Sequence, residues 1–269
     1  MSSALPFVSC ICPTKNRRIF VRRALQYYHR AARLYEREGG QTEFVIVDGS
    51  GEIASYPVDR YIWEPTGPVD RVCAAQTGEA RNLACEAARG EIILHWDDDD
   101  WQHPERILRQ VRSLLTAPGG LTYSSSFYWY HVPSRKACPS RTWNLGGGTM
   151  GAIAAYWRSV WERCPFPDGG GEDVVFMREH VALGATVIDS KDPELVVYMR
   201  HATNYSGLTH YDFTDEATTA ARELMGEDVD FYDELAEISV PYDWNQPNAP
   251  GARVRVLTPL ERVYLRHFR

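Results

Sequence analysis

The sequence is poor in the signatures that most quickly classify a protein. Its six cysteines, Cys10, Cys12, Cys73, Cys85, Cys138 and Cys164, form no CxxC pair, which excludes a zinc ribbon or a dithiol redox motif. Several lie in apolar segments, where a free thiol behaves as a small hydrophobe. No GxxxxGK[ST] loop occurs, which removes the P-loop class, and no GxGxxG follows the first apolar run, which argues against a dinucleotide enzyme. No run approaches the ~18 apolar residues of a membrane span. The start, MSSALPFVSC, lacks a basic segment leading into an apolar one, so no signal peptide is expected. Basic charge is also short: 29 Lys and Arg face 36 Asp and Glu, a formal charge of −7. That argues against non-specific nucleic-acid binding. No internal repeat or low-complexity segment stands out. The expectation is a cytoplasmic protein, soluble or peripheral, with reduced thiols.

What is present supports a folded enzyme. The 269 residues are 44% hydrophobic and include eight tryptophans, enough for a sizeable core. The first two thirds alternate short apolar runs with helix-like stretches. FVSCIC (7–12) reads as a strand ending at Pro13-Thr14. Residues 17–38 read as a helix stopped by Gly39-Gly40, and EFVIVDGS (43–50) as a second strand. Residues 61–64 form a short third strand, 77–89 an alanine-rich helix ended by Gly90, and EIILHW a fourth strand, followed by a helix from Pro104 to about Thr116. Such alternation predicts a mostly parallel sheet with helices on both faces. Ligands bind outside the carboxyl ends of strands in such sheets. Here those ends are Pro13-Thr14, Asp48-Gly49 and Asp97–Asp100. Further on, a strand is expected within 149–155, a short helix over 157–161, a helix over 172–182, and strands over 186–188 and 195–200. Acidic helix follows from Thr214.

EIILHWDDDDW (91–101) drives an apolar strand into four consecutive carboxylates. One of them, Asp100, suits a helix cap. Four exceed what capping needs, because adjacent carboxylates raise one another's pKa. A hard divalent cation, Mg²⁺ or Mn²⁺, resolves the repulsion with oxygen ligands and completes its shell with waters and substrate phosphates. That points to a phosphorylated substrate such as a nucleotide. Arg81, in TGEARN just before the acidic strand, is the leading basic partner for phosphates.

Three segments in order carry a family resemblance. VSCICPTKNR resembles the opening VSIIIPTYNR of family 2 glycosyltransferases. EFVIVDGS resembles their EIIVVDDGS with one aspartate fewer, so Asp48 answers to either member of that pair. GEARNLACEAARGEIILHWDDDDWQHPERI resembles their G-x-ARN segment leading into the DxD strand. The agreement spans roughly the first 110 residues. It implies a GT-A fold, a Rossmann-like mostly parallel central sheet, and sugar transfer from a nucleoside-diphosphate sugar (a UDP-sugar) with Mn²⁺ or Mg²⁺. It implies donor contacts from Pro13, Thr14, Asn16, Asp48, Arg81, Asp97 and Asp98, with Asp99 as direct metal ligand. The expected organisation is a catalytic domain over 1–213, with a nucleotide-sugar half to about 120 and an acceptor half beyond. A helical extension with a basic tail follows over 214–269.

GGGEDVVFMREH (169–180) delivers Glu172-Asp173 at a helix start. Acids there complement the helix N-terminus. By the resemblance, the pair supplies the general base of an inverting transfer, with Asp173 the choice and Glu172 a candidate acceptor contact. His201, after the strand VVYMR, is either a structural histidine or an extra metal ligand, the role the resemblance implies. Trp101, Trp129 and Trp143 are candidate acceptor-side surfaces, although core packing is the better expectation for each. A nucleotidyltransferase, or a binding module that has lost its chemistry, are the competing readings. The acceptor is open: carbohydrate, lipid-linked, protein or modified nucleobase. The basic C-terminal tail suits packing on the catalytic domain or a second subunit, giving a homo-oligomer, or weak contact with an anionic membrane surface.

Overall fold

The structure, a computed structural model, describes residues 4–51, 53, 56–64, 75–140, 153–168, 171–201, 204 and 212–238. In chain order the elements are β1 (Phe7–Thr14), α1 (Arg18–Arg37), β2 (Gln41–Asp48), β3 (Arg60–Trp63), α2 (Ala75–Ala87) and β4 (Ile92–His95). Next come β5 (Trp101–Gln102), α3 (Arg106–Leu115), β6 (Leu121–Tyr123), β7 (Tyr128–His131) and β8 (Lys136–Pro139). The chain continues through β9 (Ala155–Trp157), α4 (Arg158–Arg163), α5 (Glu172–Ala182), β10 (Val187–Asp189), β11 (Val196–Arg200), α6 (Asp215–Met225) and α7 (Val229–Ile238). Two compact units divide it: Met1–Phe127 with Ser140–Val196, and Tyr128–Pro139 with Val197–Arg269.

The first unit is built on a seven-stranded sheet of order β10-β6-β9-β4-β1-β2-β3. β1 pairs in parallel with β2 and β4, β2 with β3, and β10 with β6. β9 runs antiparallel between β4 and β6. The central strands are apolar on both faces, as a sheet covered on both sides requires. Ile92, Ile93 and Leu94 are fully buried, and each stabilises the fold by about 1.5–3 kcal/mol. Side chains alternate across a strand, and the end of β4 shows it. His95 packs on Tyr156 and Phe166. Trp96 meets Tyr28 and Phe44 edge-on and donates its indole N–H to Ala24 O of α1 at 3.2 Å. The helices group accordingly, α1 with α3 and α2 with α5. α1 stops where Gly39 adopts φ +88, and a Cβ on Gly40 would lie 2.1 Å from the Tyr35 ring.

In the second unit β7 pairs in parallel with β11 and antiparallel with β8. Thr214 caps α6 by accepting the Ala217 N–H at 3.0 Å. Asp233 of α7 accepts from Tyr130 Oη at 2.8 Å and from Arg222 of α6 at 2.9 Å. Among the described residues no helix is long and apolar enough to cross a membrane. The proline-rich stretch and the basic tail of residues 241–269 lie outside the described residues.

Candidate active site

The parallel register sets Thr14 opposite Asp48 and Ile11 opposite His95. The carboxyl ends of β1, β2 and β4 therefore meet, with Asp97 two residues past the end of β4. Thr14 Oγ1 donates to Asp98 Oδ2 at 2.6 Å. Arg17 Nη1 donates to Asp98 Oδ1 at 2.9 Å and to Asp99 Oδ2 at 2.7 Å. Pro13 ends β1 beside Thr14. Asn16 is exposed in the left-handed region at φ 56, which Asn tolerates better than most residues.

Arg17 went unread in the sequence, although a signal was there. It stands at the N-cap of α1, whose first turn holds no acidic residue, whereas a helix N-terminus favours negative charge. A cation in that place serves carboxylates elsewhere. Part of the repulsion at the four-aspartate run is thus met by protein. Burial raises the Asp98 carboxyl above its ordinary value, Asp99 adds to the rise, and Arg17 and Thr14 oppose it.

Asp48 is fully buried and turned onto its own loop. Its Oδ1 accepts from Ser50 N at 2.8 Å and Ser50 Oγ at 2.6 Å, and its Oδ2 from Tyr61 Oη at 3.0 Å. This is an Asx-type turn that fixes the end of β2.

α2 explains the chemistry of TGEARN. A Cβ on Gly78 would lie 2.3 Å from Pro167 O and 3.3 Å from Glu172 Cβ, so only glycine lets α2 approach the start of α5 this closely. Asn82 latches the same loop: its Nδ2 donates to Phe166 O at 2.9 Å, while its Oδ1 accepts from Phe166 N and Trp161 Nε1, both at 2.9 Å. Between them Arg81, buried over the Phe166 ring, ion-pairs with Glu172 and lies 3.6 Å from Asp97 Oδ1. One guanidinium connects the acidic strand end to the first turn of α5.

α5 begins at Glu172, after Gly171 at φ 74, a backbone conformation that favours glycine. Glu172 is buried against Arg81, whereas Asp173 is half-buried and its Oδ1 accepts the Val174 N–H at 2.8 Å. His201 belongs to the second unit, where its backbone N–H donates to Asn204 Oδ1 at 2.5 Å. Trp101 is buried edge-on to Tyr27, and Trp129 is buried against Tyr198 with Arg200 over its ring. Both pack as core residues. Trp143 lies outside the described residues.

Asp97 Oδ1 is buried without a hydrogen-bond partner. Burial raises this carboxyl above its ordinary value against the pull of Arg81, and Asp99 adds to the rise. Arg81, 3.6 Å away, balances its charge without hydrogen-bonding it, and a buried acceptor left so is costly. Among the described residues no three His, Cys, Asp or Glu side chains form a preformed metal cage. Mg²⁺ and Mn²⁺ do not need one, since one or two carboxylates with substrate phosphates suffice. Asp97 and Asp99 fit that donor set.

The profile of glycosyl transferase family 2 matches residues 9–145, a little over half of the chain. The chain belongs to this family, and the fold is the GT-A glycosyltransferase fold. No curated protein matches it in sequence. Among solved structures, S. aureus TarS 1–349 in complex with UDP superposes with a TM-score of 0.53 at 16% identity, covering 97% of this chain and 71% of that one. Mannosyltransferase PcManGT from Pyrobaculum calidifontis, in complex with GDP-Man and Mn²⁺, gives 0.52 at 18% identity, covering 98% and 71%. At these identities the likeness is one of fold.

Proposed function

We propose that this glycosyltransferase is an inverting, divalent-metal-dependent enzyme that moves a sugar from a nucleoside-diphosphate sugar, a UDP-sugar in the first instance, to an acceptor hydroxyl. The observation that carries the reading is the bridge from Asp97 through Arg81 to Glu172, which brings a strand-end acidic cluster and the α5 acids into one unit. Similar folds bind UDP in one case and GDP-Man with Mn²⁺ in another. Both ligands are consistent with a donor site at these strand ends.

In this proposal Pro13, Thr14, Asn16 and Asp48 shape the nucleoside end, while Asp97 and Asp99 hold Mn²⁺ or Mg²⁺. When bound, the ion supplies positive charge to the departing diphosphate. Asp173 accepts the proton of the acceptor hydroxyl as that oxygen bonds to the anomeric carbon. The bond from that carbon to the diphosphate oxygen breaks, and the nucleoside diphosphate leaves. Glu172 is committed to Arg81 and so is the poorer base. Its part is to hold Arg81 near Asp97. The residues given these roles all lie in the first unit.

The test is incubation with labelled UDP-sugars and Mn²⁺, following release of UDP. UDP release should stop with excess EDTA and in Asp99→Ala. Full release in EDTA overturns the proposal. Transfer of a nucleotidyl group, seen as release of pyrophosphate from UTP and a sugar phosphate, would favour a nucleotidyltransferase instead.

A further inference from the structure

We propose that Arg17 is an exchangeable counter-ion. It holds Asp98 and Asp99 together while no divalent ion is bound, and yields Asp99 when one binds, which leaves its guanidinium for the donor diphosphate. The inference rests on the donor-site reading above and adds an order of events to it.

A single nitrogen, Arg17 Nη1, reaches both carboxylates, at 2.9 Å and 2.7 Å. Asp98 has a second donor in Thr14 at 2.6 Å, so it keeps its place if the guanidinium leaves. Asp99 is the carboxylate that the donor site gives to the metal. A guanidinium and a divalent cation on one carboxylate repel each other strongly where water is largely excluded. The two cations therefore compete for Asp99.

Arg17 is more open to solvent than Arg81. Its side chain is 19% exposed, against 5% for Arg81. Arg106, the other buried arginine near Asp97, is locked by His95 O, Gln102 and Gln110. Arg17 also sits at the N-terminus of the 20-residue helix α1, followed by Arg18 and with no acid in the first turn. Drawn off Asp99, its charge adds to a helix terminus whose dipole already favours an anion. Metal loading would thus create the positive face that the diphosphate needs, and the two ligands would bind with positive coupling.

The experiment is calorimetric titration of the metal-free protein with Mn²⁺, alone and with UDP. It uses wild type, Arg17→Met and, as a control for charge alone, Arg18→Met, whose arginine instead bonds Tyr56. Exchange predicts that Arg17→Met binds Mn²⁺ alone about fivefold tighter or more, the low end of ordinary coupling. Arg18→Met should match wild type. UDP should tighten Mn²⁺ binding in wild type by a similar factor, and by clearly less in Arg17→Met. Unchanged or weaker Mn²⁺ binding in Arg17→Met overturns exchange and makes Arg17 a fixed support. Equal tightening in both variants also overturns it, as a long-range charge effect. Should Arg17→Met fail to fold, Arg17→Lys replaces it: an ammonium holds the two carboxylates less well, so tighter Mn²⁺ binding is again expected, and wild-type affinity overturns exchange. Absence of Mn²⁺ binding to wild type, with or without UDP, removes the donor-site reading itself. Mn²⁺ binding by wild type with no change in the variants removes only the exchange.

Discussion

Arg81 ion-pairs with Glu172 from 91 positions away, and neither side chain is more than 8% exposed. Removing one partner of a buried pair leaves an uncompensated charge, at a cost of about 3–5 kcal/mol. Glu172→Gln is therefore expected to lower the melting temperature by on the order of 10 °C. Thermal melts followed by circular dichroism check this. A variant that melts like wild type would show that the pair contributes nothing.

Asp173 is the other member of the acidic pair, and it has no such commitment to Arg81. Asp173→Asn is expected to leave nucleotide binding near normal while transfer falls by a factor of about 10²–10⁴. Comparing UDP affinity with turnover tests it. Wild-type turnover in Asp173→Asn, with loss in a folded Glu172→Gln, would reverse the two roles.

Much of this was legible in the sequence because it is local. The bounds of α5, Glu172–Ala182, match the expected helix, since a positive-φ glycine and two acids mark its start. The strand-end aspartates stood out as a run. β9 was displaced: a strand within 149–155 was expected, and the structure has it at Ala155–Trp157, followed by α4. Residues 149–152 lie outside the described residues. The apolar AAYW suits strand or helix equally, and antiparallel pairing with β4 and β6 settles it as strand. Arg17 was missed for a similar reason. Its carboxylate partners lie 81 and 82 positions away, so nothing in its neighbourhood names them.

Gly78 is where α2 meets the loop before α5. Gly78→Ala would force its new methyl against Pro167 O at 2.3 Å. Overpacking of this kind costs about 1–3 kcal/mol. Transfer should also fall, because the backbone shift moves Glu172 relative to Arg81. Denaturant melts and turnover on one preparation test both, and wild-type values for both would mean that the approach is looser than described.

Glu43 sets an acid limit on stability. It is fully buried; burial alone would raise its carboxyl, but Ser9 Oγ at 2.6 Å and Arg89 N at 2.6 Å and Nε at 2.8 Å hold it below the ordinary 4.5. A carboxyl lowered on folding contributes stability that is fully present above its unfolded pKa and is lost as pH falls through the lower folded value. Glu43→Gln should therefore be less stable at neutral pH and show a shallower loss below about pH 4.5. Parallel acid limbs in the two proteins would contradict this.

The most direct measurement of the central claim is equilibrium binding of UDP and GDP with Mn²⁺ and with EDTA, for wild type and Asp99→Ala. A metal-dependent donor site at the strand ends requires that wild type bind at least one of the two nucleotides with Mn²⁺. Binding should be lost or greatly weakened in EDTA and in Asp99→Ala. Equal binding in EDTA, or undiminished metal-dependent binding by Asp99→Ala, would contradict it.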